Sequence, residues 1–101
     1  MITIVALLTI RDAAAFDQFE RQAVAIMAEH GGRLDSAFRP SASGSTQSPA
    51  VDEVHVLKFP TQEKFEAYRT DPQIVALAPL REKAISHTSV YISSEGLDYT
   101  S

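Results

Sequence analysis

The chain has 101 residues, no cysteine and a formal net charge of −4. That length gives room for one domain over residues 1–101, and the missing cysteine excludes disulfide frameworks, thiol catalysis and Cys-ligated metal or iron–sulfur centres. Nine Lys and Arg against thirteen Asp and Glu, with the cations scattered, speak against nucleic acid, because neutralising phosphates takes clustered positive charge. No stretch approaches the roughly 20 apolar residues of a bilayer span, so the expected setting is cytoplasmic, with no membrane partner.

The first element is a strand, Ile2–Ile10, rich in β-branched residues and too short to be a signal peptide. Both of its faces are largely apolar, the pattern of a strand covered on two sides. Asp12 is placed to cap a helix whose stripe is Phe16, Phe19, Ala23, Ile26, Met27 and His30. Gly31-Gly32 ends that helix by supplying a left-handed residue. A short strand near Arg33–Arg39 follows, then a Ser- and Gly-rich loop, Pro40–Pro49. Val51–Phe59 is the second strong strand. Thr61 opens a helical stretch, Asp71-Pro72 restarts it and Pro79 is expected to kink it as it runs on to Ala84 and Ile85. The last strand is His87–Ser93.

The order β-α-β-β-α-β predicts an α+β, ferredoxin-like fold with two helices on one face of a four-stranded antiparallel sheet. In the strand order 4-1-3-2, the two most apolar strands are central. Two helices cover one face only, and whichever alternate set of the first strand they leave bare is apolar. Four such side chains are worth roughly 6–12 kcal/mol when buried, at about 1.5–3 each. Pairing of two sheets in a homodimer is the simplest cover, since most oligomers are symmetric.

Three residues are candidates for chemistry at one site. His55 lies mid-strand between Val54 and Val56, on the same side as Glu53 and Leu57. It reads either as a core histidine bonded to a neighbour or as a proton shuttle near neutral pH. Tyr68 and Arg81 lie on the second helical stretch, where a hydroxyl and a guanidinium suit an oxygen-bearing ligand, or where both simply pack against apolar surface. A second candidate cluster is Arg11, Glu53 and His87, with Asp52 beside them, which reads as an acid/base rim or as a solvated rim of charge. His30 stands at a helix C-terminus and reads as a cap. The three histidines lack metal-ligand spacing, and no Walker, dinucleotide or nucleophile-elbow motif is present, so neither a metal nor a nucleotide cofactor is expected.

Three stretches resemble a known group: AEHGGRL at the end of the first helix, VHVLKFPTQEKFEAY across the third strand and second helix, and DPQIVALAPLREKA leading to YISSEGLD. They are similar to the family labelled domain of unknown function 1330, among the dimeric α+β barrel proteins. The resemblance implies a homodimeric barrel, in a superfamily that includes cofactor-independent monooxygenases and muconolactone-isomerase-like enzymes. Two functions stay open at this point. One is a barrel that binds or transforms a small organic molecule. The other is a non-catalytic binding or interaction module whose dimer is the functional unit.

Overall fold

Burial alternates along the first strand and marks the side that the helices take. In the computed structural model, which describes residues 1–41, 50–93 and 97–99, β1 (Ile2–Ile10) buries Ile2, Ile4, Ala6 and Leu8 and leaves Thr3, Val5, Leu7 and Thr9 half-buried. The first set faces the helices. The second belongs to the open face, so the choice left by the sequence falls on Val5 and Leu7.

Helix α1 (Ala13–Glu29) starts where Asp12 accepts a hydrogen bond from the Ala15 N–H at 2.9 Å. Its stripe of Ala15, Phe16, Phe19, Ala23, Ile26 and Met27 is buried. At its end Gly31 adopts φ 76°, and the N–H groups of Gly31 and Gly32 donate to the carbonyls of Ala28 and Met27. This is a Schellman closure, which needs a left-handed residue at that point. Gly32 has a different reason to be glycine: a Cβ there would lie 2.4 Å from the Phe59 ring, a fully buried side chain.

Strand β2 (Arg33–Phe38) pairs with β3 (Glu53–Phe59), β3 with β1, and β1 with β4 (Ile85–Ser93), all antiparallel, in the order β2-β3-β1-β4. This is the expected ferredoxin-like α+β topology, and within one chain the sheet is open. Most of the Pro40–Pro49 loop, from residue 42 onward, lies outside the described residues.

The second helical stretch differs from expectation. It is three short helices, α2 (Gln62–Arg69), α3 (Pro72–Val75) and α4 (Ala78–Ala84). Thr61 and Asp71 cap the first two through the N–H groups of Lys64 and Gln73. Pro79 does not kink a continuous helix; it sits in the first turn of α4, where a missing N–H costs nothing. The last strand begins at Ile85, two residues earlier than expected, because the chain turns from helix to strand as soon as α4 ends. There the Ala84 carbonyl accepts from the N–H groups of both Arg11 and Asp12, pinning the end of β1 to the end of α4.

The core divides into two clusters. One joins Leu8, Ala15, Phe16, Phe19, Ala23, Ala84 and Ile85, and the other joins Ile2, Ile4, Met27, Leu57, Phe59 and Phe65. On the far side of the sheet, Val5, Leu7, Val54 and Val56 are half-buried, and Phe38 and Tyr91 are exposed. Among the described residues, no helix is long and apolar enough to cross a membrane.

Candidate functional site

A cavity of about 510 Å³ lies between the sheet and α1 on one side and α2–α4 on the other, and its walls draw on both core clusters. Ala6 explains part of the space. It sits on a central strand between His55 of β3 and Val90 of β4, and a methyl group there leaves the floor low. Ile4, Leu8, Leu57, Phe65 and Ile74 supply apolar walls. The volume lies within the range of small-molecule sites, which combine such walls with a few convergent polar groups.

His55, Tyr68 and Arg81, the three residues singled out in the sequence, all line this cavity. They reach it from β3, α2 and α4. His55 is buried, packs against the Phe16 ring at 6.0 Å, and has a carboxylate at each nitrogen. Its Nε2 lies 2.5 Å from Glu53 Oε2, and its Nδ1 lies 3.6 Å from Glu20 Oε2. Glu53 follows from strand alternation, being two residues from His55 on the same side. Its other oxygen, Oε1, accepts from Arg39 Nε at 3.0 Å.

Glu20 is the residue that sequence reading missed, although a signal was present. It stands four residues after Phe16 and three before Ala23, so an acid occupies the edge of the buried stripe. Burial pushes its carboxyl above the ordinary range; the charge of His55 opposes this, Glu53 adds to it and Arg81 opposes it. The Tyr68 hydroxyl is pushed up to about 12, first by burial, then by the negative charge of Glu20, with Arg81 pulling the other way. It therefore stays protonated and able to donate at neutral pH. Arg81 donates from Nη2 to Thr88 Oγ1 at 3.1 Å, and no carboxylate lies within 4 Å of it among the described residues. The site thus presents an acid with a raised pKa, a neutral phenol and a guanidinium with no ion pair among the described residues, around apolar walls.

The second candidate cluster is not assembled. Arg11 donates from Nη1 to the Glu82 carbonyl at 3.1 Å, His87 meets Ser89 at 3.4 Å, and Glu53 is held by His55 and Arg39. The reason is strand periodicity. Glu53 pairs with Leu8 and faces the helices, whereas His87 pairs with Thr9 and faces the open side. Asp52 accepts from the Ile10 N–H at 2.8 Å and so serves the strand end. His30 also does more than cap α1: its Nε2 lies 2.7 Å from Asp71 Oδ2. Among the described residues no group of His, Asp and Glu is arranged to hold a metal ion.

Solved structures with this fold are similar in shape at low sequence identity. A protein of unknown function from Rhodopseudomonas palustris is similar at a TM-score of 0.84 and 15% identity, over 96% of this chain and 83% of the other. SnoaB, a cofactor-independent oxygenase from Streptomyces nogalater, is similar at 0.69 and 13% identity, over 99% and 97% of the two chains. A dimeric protein of unknown function from Bacteroides fragilis, described as having a ferredoxin-like fold, is similar at 0.63 and 15%, over 90% and 92%. No curated protein matches. These likenesses establish the fold, and the sequence itself carries the kinship: with residues 3–94 matching, the chain belongs to the family described as Domain of unknown function (DUF1330).

Proposed function

We propose that this protein is a homodimeric α+β barrel that binds a small organic molecule in the cavity beneath α2–α4 and acts on it by proton transfer. It would do so without metal or nucleotide, in the manner of an isomerase or a cofactor-independent monooxygenase. The observation that carries this reading is the convergence of His55, Tyr68 and Arg81 on one apolar cavity of about 510 Å³. Polar groups brought together from three separate elements are a ligand-site pattern rather than the scatter of a solvated surface. The likeness to SnoaB supports the reaction class by fold analogy alone, and such folds host several functions. The dimer is supported by the apolar open face of the sheet, where Val5, Leu7, Val54 and Val56 are only half-buried and no helix among the described residues covers them.

A second reading, a non-catalytic interaction module whose dimer is the functional unit, draws on His55 itself. Both of its nitrogens already face carboxylates, so the imidazole needs no ligand. Titration with acetophenone, a small aromatic ketone, followed by amide NMR separates the two. Under the cavity reading, saturable shifts cluster at Tyr68, Ile74 and Thr88, and Arg81→Met weakens binding about tenfold, the usual worth of one hydrogen bond from a charged donor. Shifts that are scattered and do not saturate would leave the interaction module as the better account.

A further inference from the structure

We infer that Glu20 is the proton acceptor of this cavity, set in place by the His55–Glu53 pair behind it, and that the cavity takes a small apolar molecule with a C–H bond acidified by a neighbouring carbonyl. The inference rests on the proposed cavity function and deepens it.

Glu20 and His55 together form the partition between two spaces. Both line the inner cavity, and both line an outer cleft shared with Asp17, Arg21, Val24 and Leu34. A carboxylate in such a partition can take a proton from an occupant on one side while staying connected to polar groups on the other. The order of groups is Glu20 Oε2, His55 Nδ1 at 3.6 Å, then His55 Nε2 to Glu53 Oε2 at 2.5 Å, with Arg39 on the far oxygen of Glu53. Glu53 fixes the ring, and the ring faces Nδ1 toward Glu20. His55 is therefore a positioning residue in this arrangement, and Glu20 is the one that meets the occupant.

The charged and titratable groups around Glu20 and its cavity come from every neighbouring element: Asp17 and Arg21 on its own helix, His55 and Glu53 on β3, Arg69 and Tyr68 on α2 and Arg81 on α4. Tyr68 and Arg81 define the complementary part of the ligand. A neutral phenol donor and a guanidinium suit an oxygen that gains negative charge. In the step, the substrate C–H bond breaks and its proton forms an O–H bond with the Glu20 carboxylate. The electron pair stays on the substrate as an enolate, whose oxygen meets Arg81 and the Tyr68 hydroxyl. Return of the proton to a different carbon completes an isomerisation with no other reactant. Burial in an apolar wall raises the basicity of the carboxylate, which is what such a step needs.

Nitrobenzisoxazole tests this directly. Removal of its ring C–H proton by a base forms the nitrile and breaks the N–O bond, releasing a coloured phenolate. The wild-type protein should turn it over faster than acetate at equal carboxylate concentration, with a rate that rises through the same midpoint as the Glu20 carboxyl followed by carbon NMR. Glu20→Gln, which keeps shape and removes the base, should lose about a hundredfold or more, and Glu20→Asp should restore part of it. His55→Gln should move the midpoint to higher pH, because the favourable imidazole charge beside Glu20 is gone; a purely structural loss would lower the rate without moving the midpoint. Binding of the probe with equal turnover by Glu20→Gln, or an unmoved midpoint in His55→Gln, overturns the assignment of Glu20 while leaving the cavity function standing. Failure of the probe to shift any cavity resonance overturns the cavity function and this inference with it.

Discussion

At the scale of single residues, the two carboxylates beside His55 differ in how visible they are. Glu53 is legible from the sequence, since two residues along a strand means the same face. Glu20 is close to it only because α1 crosses that part of the sheet, a matter of packing between segments 35 residues apart in the chain. The cost of burying its charge can be measured. Its folded-state pKa lies above the value it has in the unfolded chain, so folding favours its protonated form. The contribution of Glu20 to stability should therefore be most favourable below the ordinary glutamate range and fall as pH rises through the raised value. Glu20→Gln removes that slope. Thermal unfolding at a series of pH values should show little difference between the two proteins in acid and a higher melting temperature for Glu20→Gln at neutral pH; parallel curves would show that Glu20 carries no such cost.

Among the elements, the junction between α1 and α3 shows how short helices are held without much core. Neither α3 nor its neighbours is long enough to be stable alone, and α3 has no buried residue. Asp71 serves it twice, capping the Gln73 N–H through Oδ1 and meeting His30 through Oδ2. Those two contacts, the His30 bond first, hold its carboxyl below the usual range. Stability from a depressed carboxylate is present above its unfolded pKa and disappears as pH falls through the folded one. Asp71→Asn keeps the cap and removes the charge beside His30. It should lower the melting temperature near neutral pH, and the gap should close as the wild type is acidified; a gap constant with pH would assign the loss to packing instead. The Asp-Pro signal made the start of α3 readable in advance, whereas the fate of Pro79 was not. Proline suits a first turn as well as it breaks an interior, and only the backbone preceding it distinguishes the two.

For the molecule as a whole, the open sheet face is the dominant unbalanced feature. Phe38 and Tyr91 are 53% and 62% exposed, and together with the half-buried valines and Leu7 they spread apolar surface across all four strands. Contiguous apolar surface of this kind on a sheet is what an interface between copies looks like. The wild type should scatter light as a species of twice 11.0 kDa at micromolar concentration, and Val56→Lys, at the centre of that face, should yield a folded monomer by circular dichroism. A wild-type protein that is monomeric under those conditions would contradict the dimer.

The strands, the first helix with its cap and glycine ending, and the ferredoxin-like topology all follow from patterns local in the chain: alternation with period two, an apolar stripe with period near 3.6, and capping residues at helix starts. These depend on neighbours a few residues away, so the linear order of residues was enough. The cavity, the partnership of Glu20 with His55 and the dispersal of Arg11, Glu53 and His87 depend on which face of each strand meets which helix. That outcome is decided by the packing of β1 against α1, where Ile2, Ile4, Ala6 and Leu8 turned inward although Val5 and Leu7 were nearly as apolar. Two faces of similar hydrophobicity have similar burial energies, and only the full set of contacts from the other elements breaks the tie.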